Sequence, residues 1–270
     1  MNYIQAFFMS FGMFTSIPCP YRPWNEKARH LMLVFLPLVG LVIGFIWYGL
    51  YLLMGWINIP LQLQTAVLML YPYLITGFIH LDGFMDTSDA ILSGRPLEEK
   101  LRILKDPHTG AFAVISVGIL FVFCFASMLS AIEQLHFRQA LDISEGDPML
   151  ALILIPMITR CCSAIAVLVG KPLAHSQYKE ELGTKKPVAK VTAISLMGLA
   201  AIVAAFAIGM GIFVNEASYS VPLVLTVAVA AYLAAMFGAV RQLKGVSGDV
   251  AGYALTIGEA FAIVMLALLS

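Results

Sequence analysis

Charge is the scarcest property of this chain. Of its 270 residues only 12% are charged, against 60% hydrophobic, whereas a soluble domain carries about 25% charge. The apolar residues stand in long blocks, so a bilayer, not water, is the solvent for much of the surface. Lys plus Arg number 16 and Asp plus Glu 16, which leaves no basic excess and excludes a nucleic-acid footprint. Cysteine is also sparse. Cys19, Cys124, Cys161 and Cys162 lack metal-ligand spacing, three of them lie in apolar runs, and they read as reduced packing residues. The stretch Met1–Ile17 lacks the basic start of a signal peptide, because Arg22, Glu26, Lys27 and Arg29 follow the apolar part. It is short for a span and is interrupted by Asn2, Gln5, Ser10, Thr15 and Ser16. We read it as an interfacial or re-entrant helix closed at Pro18-Cys19-Pro20. Internal repeats are lacking too, which removes one support for an inverted-repeat transporter.

What the chain does have is seven apolar blocks: Leu31–Met54, Leu63–Leu81, Thr109–Ala131, Met149–Gly170, Val191–Val214, Pro222–Val240 and Ala251–Leu269. The expected fold is an all-α integral membrane protein, a single embedded domain over residues 1–270, with about seven transmembrane helices plus the N-terminal helix. Pro37, Pro72 and Pro156 fall inside spans, where neighbouring helices can re-satisfy the lost hydrogen bonds. The connections divide by charge. Fourteen of the sixteen basic residues fall in one alternating set of loops, around residues 22–29, 95–105, 171–190 and 241–244. The other set has only Arg138, beside Glu133, Asp142, Glu145, Asp147 and Glu216. By the positive-inside rule the N-terminus is cytoplasmic and the C-terminus outside.

Three acids then occupy the cytoplasmic end of the second block, in His80-Leu81-Asp82-Gly83-Phe84-Met85-Asp86-Thr87-Ser88-Asp89-Ala90. At roughly 100° per residue, a helix places Asp82, Asp86 and Asp89 within about 60° of one another. Three carboxylates on one stripe repel and cost several kcal/mol to desolvate. A solvated acidic helix end is the plain alternative, but the run has no basic partner one turn away. A divalent metal with oxygen ligands answers the repulsion and implies a phosphate- or diphosphate-bearing substrate. Gly83, beside the stripe, allows a ligand or another backbone to approach. His80 projects to the opposite side and reads as an interfacial or supporting residue more than a ligand.

Beyond the stripe, residues 95–106 read as a short amphipathic helix ending before Pro107. Arg102 and Lys105, three apart, suit phosphate oxygens or lipid headgroups equally, and Asp106 offers a fourth carboxylate. Arg160 and Glu259 lie within spans, where a charge is either functional or paired as structural glue. The run Gly245-Val246-Ser247-Gly248-Asp249 opens the last helix and forms a candidate phosphate nest.

Together these residues resemble the cobalamin synthase (adenosylcobinamide-GDP ribazoletransferase) family over nearly the whole chain. The resemblance rests on Phe14-Thr15-Ser16-Ile17-Pro18-Cys19-Pro20, on Gly77-Phe78-Ile79-His80 leading into the aspartate run through Ala90, and on Lys105-Asp106. Arg160, Leu182-Gly183, Gly245 to Asp249 and Glu259 also fit. Two departures stand out: Pro107-His108-Thr109-Gly110 replaces the family's more common Ser-Arg-x-Gly, and Thr15-Ser16 its Thr-Arg. The phosphate-binding duty of those arginines would pass to His108, Arg22 or Arg102. The resemblance implies transfer of cobinamide phosphate from adenosylcobinamide-GDP to the 3′-hydroxyl of α-ribazole or its 5′-phosphate, with release of GMP. It implies Mg²⁺ held by Asp82, Asp86 and Asp89, with Asp106 or Asp249 as further ligand or base. His80, Gly83, Arg102, Lys105, His108, Arg160, Gly248, Asp249 and Glu259 would contact substrates. The implied partners are these small molecules and membrane lipid, with other cobalamin-pathway enzymes or a second copy left open. The implied location is the bacterial inner membrane, with the site on the cytoplasmic side.

Rival readings fit the residues less well. A CDP-alcohol phosphotransferase needs Asp-Gly-x-x-Ala-Arg, but Asp86 and Thr87 stand where Ala and Arg belong. An intramembrane prenyltransferase needs a second aspartate-rich helix. A transporter would use Arg160 and Glu259 as a coupling pair, yet the carboxylates cluster at one face.

Overall fold

The computed structural model describes residues 2–19, 24–25, 29–141, 147–173 and 220–270. Among them every regular element is helical, apart from one isolated parallel bridge, Pro172 to Val246. In chain order they are α1 (Asn2–Phe14), α2 (Arg29–Met32), α3 (Leu36–Trp56), α4 (Leu61–Ile75), α5 (Ile79–Leu92), α6 (Leu97–Ile103), α7 (Ala111–Ala140), α8 (Ala151–Val169), α9 (Ser220–Leu243) and α10 (Gly248–Leu269). Short 3₁₀ turns, Leu33–Phe35 and Pro148–Leu150, lead into α3 and α8. Among the described residues five continuous helical stretches are long and apolar enough to cross a membrane: Leu33–Trp56, Ala111–Ala140, Pro148–Val169, Ser220–Leu243 and Gly248–Leu269. The chain is therefore an all-α, multi-pass membrane protein. The expected block Val191–Val214 and the Leu182-Gly183 segment lie outside the described residues.

The second expected span differs from expectation. Instead of one helix through Leu81, α4 and α5 meet at a bend of 87°. The cause is a helix stop built on Gly77: its N–H donates to Leu74 O and the Phe78 N–H to Tyr73 O, a Schellman pairing with glycine in the left-handed region (φ 59°). Phe78 is left-handed as well (φ 63°), a conformation costly for an aromatic residue and held only where its surroundings impose it. Here the segment just after α1 supplies the restraint, with Ser16 N–H donating to Ile75 O and Ser16 Oγ to Leu74 O. Counted as one broken span, α4–α5 makes a sixth crossing.

In lipid, helices associate through close backbone approach and polar bonds, because the tails are as apolar as leucine. The α3–α8 contact follows the small-xxx-small pattern: a Cβ on Gly40 would lie 2.3 Å from Pro156 O, and one on Gly44 2.0 Å from Ile153 O. Trp47 Nε1 donates to Leu68 O (2.8 Å) and Tyr71 Oη to Ile43 O (3.0 Å), joining α3 to α4. At the centre α10 packs on α5, α7, α8 and α9. Between α8 and α10 the two intramembrane charges find each other: Arg160 donates to Glu259 at 2.7 Å and to Pro156 O at 3.1 Å, and Thr159 Oγ1 donates to Glu259 at 3.1 Å. Both charged side chains are buried. Large exposed residues such as Phe123, Phe237, Phe261 and Leu268 face outward, where lipid replaces water.

Gly44→Ala forces backbone apart at α3–α8 and is expected to cost about 1–3 kcal/mol. It should lower the melting temperature of the detergent-solubilised protein; an unchanged value would contradict this packing.

Candidate active site

The site forms where α5 crosses the first turns of α10. The crossing is close because neither helix has a side chain at the contact. A Cβ on Gly83 would lie 2.8 Å from both Cα and O of Asp249, and one on Gly252 would lie 3.2 Å from His80 O. Thr256 Oγ1 donates to the same His80 carbonyl (3.3 Å). The start of α10 is fixed by Ser247, whose Oγ accepts from Val250 N–H (3.3 Å) and donates to Asp249 Oδ2 (3.2 Å). This is an N-cap, and it sets the aspartate at the helix's positive end.

The crossing gathers acids. Asp82, Asp89 and Asp249 lie within Coulombic range of Asp86, and Asp82 within range of Asp249. Asp82 is exposed, while Asp86 and Asp249 are half-buried. Among the described residues no basic side chain pairs with any of these three; the ion pairs there are Arg102–Glu99, His108–Asp106 and Arg160–Glu259.

Asp89 is placed differently. It is buried, and its two carboxylate oxygens accept from Gly110 N–H (2.5 Å) and Ala113 N–H (3.1 Å), so it caps the start of α7 from outside that helix. Gly110 makes room for it, since a Cβ there would overlap the carboxylate.

Nor do the residues of the α6–α7 loop join the acids. Arg102 forks onto Glu99 (3.1 and 2.5 Å), and this holds the Glu99 carboxyl below its usual range. Asp106 accepts from His108, from the ring at 2.6 Å and from the backbone N–H at 3.0 Å, which likewise holds its carboxyl low. Arg102, Lys105 and Asp106 line an open groove with Glu98, Leu101 and Pro107, while Asp82 lines another with Thr15, Ser16 and Gly77. Lys100, buried, donates to Gln242 (2.6 Å) and ties α6 to α9.

On the other side of α5, His80 lines a cavity of about 240 Å³ together with Ser163, Gly248 and Asp249. Phe14 stacks nearly parallel on the imidazole, with centroids 6.2 Å apart and planes at 16°. Asp249 thus belongs both to the acid group and to the cavity. Ser247 was expected only as part of the glycine-rich run before α10, and Ser163 was not among the expected site residues. The serine just before an apolar helix is a readable cap signal, but nothing local marks Ser163.

Among the described residues no three Asp, Glu, His or Cys side chains are gathered as a complete ligand set. The donors nonetheless suit Mg²⁺, which takes one or two carboxylates and completes its shell with water and substrate phosphate. Asp82, Asp86 and Asp249 offer all-oxygen, mutually repelling groups of that kind, with no basic partner among the described residues.

The two roles separate by stability. Asp89→Ala removes two charge-assisted bonds and is expected to destabilise by about 2 kcal/mol. Asp86→Asn relieves repulsion and should leave the melting temperature unchanged or higher. Thermal unfolding in detergent decides, and the reverse order would refute the assignment.

The Cobalamin-5-phosphate synthase family model matches residues 6–267. The adenosylcobinamide-GDP ribazoletransferase of Clostridium botulinum (strain Alaska E43 / Type E3) is 37% identical over 261 residues, 96% of this chain and 95% of the relative. Its namesake in Clostridium perfringens (strain 13 / Type A) is 34% identical over 271 residues, 99% of each. That of Pseudomonas fluorescens (strain Pf0-1) is 33% identical over 257 residues, 93% of each. No solved structure matches the chain. Since the match runs through the acid crossing and nearly every helix on either side of it, the chain belongs to the cobalamin-5-phosphate synthase family.

Proposed function

We propose that this chain transfers cobinamide phosphate from adenosylcobinamide-GDP to the 3′-hydroxyl of α-ribazole or its 5′-phosphate, releasing GMP. It is an enzyme of the ribazoletransferase family, as its relatives' names say of them. The observation that carries the finer reading is the set of unpaired carboxylates, Asp82, Asp86 and Asp249, at the α5–α10 crossing. Such a set repels a diphosphate unless cations lie between. Mg²⁺ held by Asp82 and Asp86 would offset the charge on the phosphoryl oxygens.

In this account Asp249, reaching both the acids and the cavity, accepts the proton of the acceptor hydroxyl. The hydroxyl oxygen attacks the phosphorus that bears cobinamide, the bond to the bridging oxygen breaks, and GMP leaves with that oxygen. Positioning is the main task of the protein in such a transfer, and the glycine crossing, the Ser247 cap and the Asp89 cap hold the carboxylates in place. The exposed Lys105 and Arg102 line the open α6–α7 groove, His108 is exposed beside it, and these groups would serve the guanosine phosphate or lipid headgroups. We place the site at the cytoplasmic face of the bacterial inner membrane, because the neighbouring connections carry Arg95, Lys100, Arg102, Lys105, Arg241 and Lys244.

Purified protein in nanodiscs, given GDP-activated cobinamide and α-ribazole phosphate, should release GMP in step with a nucleotide-bearing corrinoid, and only with Mg²⁺. Asp86→Asn should lower the rate by about 10²–10³-fold or more while the protein stays folded. GMP release without added divalent metal, or an active Asp86→Asn, would refute this assignment.

A further inference from the structure

The cavity behind α5 has a chemistry of its own. We infer that it seats the flat, apolar base of the acceptor nucleoside, with the sugar directed at Asp249; this rests on the transfer reaction proposed above. Its size comes first. At about 240 Å³ it falls just under the range of about 300–1,000 Å³ typical of whole small-molecule sites. It takes one ring system and excludes a corrinoid.

The lining comes second. Phe14, Leu33, Leu36, Ile79 and Val167 make it chiefly apolar, and the Phe14 and His80 rings give it nearly parallel aromatic surfaces. Its polar groups are mostly spent: Ser247 Oγ on Val250 and Asp249, and Ser163 Oγ on Ala251 O. His80 is the exception, nine-tenths buried, with Nδ1 lacking any partner among the described residues. Leaving a buried nitrogen unpaired is costly, a cost that a ligand with one complementary atom removes.

These features choose between the two bases in the reaction. Guanine carries donors and acceptors around most of its edge, and burial here would leave them unpaired. A dimethylated benzimidazole is apolar except for one free ring nitrogen, and it asks for one partner. Position agrees with chemistry, because Asp249 and Ser247 also line the cavity, and the acceptor's hydroxyl must reach Asp249.

Steady-state kinetics with both substrates varied test the assignment. Val167→Phe, which fills the cavity, and His80→Ala, which removes the unpaired nitrogen, should each raise the acceptor KM by about ten-fold or more and leave the donor KM unchanged. Phe14→Ala, which removes one flat wall, guards against a Val167→Phe that fails to fold. A rise in donor KM alone would assign the cavity to guanine, and unchanged KM values for both substrates would empty it of either role; each overturns the inference. If the wild type releases no GMP, the reaction fails separately, and equilibrium dialysis with α-ribazole decides. Saturable binding lost in Val167→Phe upholds the cavity assignment; absence of saturable binding overturns it.

Discussion

At the crossing of α5 and α10, helix backbones touch through Gly83 and Gly252, and the rest of the site follows from that contact. A side chain at either position would push the helices apart. With the backbones this near, a carboxylate from the start of α10 enters the field of two from α5. The same approach brings His80 and Asp249 onto one cavity. The acid group and the shared cavity are two consequences of one steric condition.

The membrane explains how such a condition is sustained. Apolar burial does little to hold helices together in lipid, so the bundle relies on glycine contacts, as at α3–α8, and on polar bonds such as Trp47 to Leu68. The Arg160–Glu259 pair, buried between α8 and α10, belongs to this class. A single charge left there would be very costly, so the pair is strongly specified. It fixes α10 ten residues beyond Asp249, and thereby the height at which that aspartate meets α5.

Much of this was legible in the sequence, and the limits have physical reasons. Hydropathy marks α3, α7, α8, α9 and α10 because a bilayer demands about 20 apolar residues per helix. It misses the α4–α5 bend because apolar residues continue on both sides of Gly77; the stop lies in backbone conformation, not in hydrophobicity. Spacing puts Asp82, Asp86 and Asp89 on one stripe, but seven residues is about 10 Å of helix. At that distance Asp89 meets the N-terminus of α7, a neighbour that no local pattern reveals. Arg102 looks free toward Lys105, yet a residue three positions back, Glu99, is equally near on the helix and takes the guanidinium. Asp249 is recognisable as a loop acid, whereas its partnership with α5 depends on a contact spanning more than 160 residues of chain.

Binding of Mn²⁺, a paramagnetic stand-in for Mg²⁺, to the purified protein with a nucleoside diphosphate present tests the central claim most directly. Followed by electron paramagnetic resonance, it should be stoichiometric in the wild type and in Asp106→Asn, and strongly weakened in Asp82→Asn and Asp86→Asn. Equal binding by all four proteins, or loss only in Asp106→Asn, would contradict a metal site at the α5–α10 crossing.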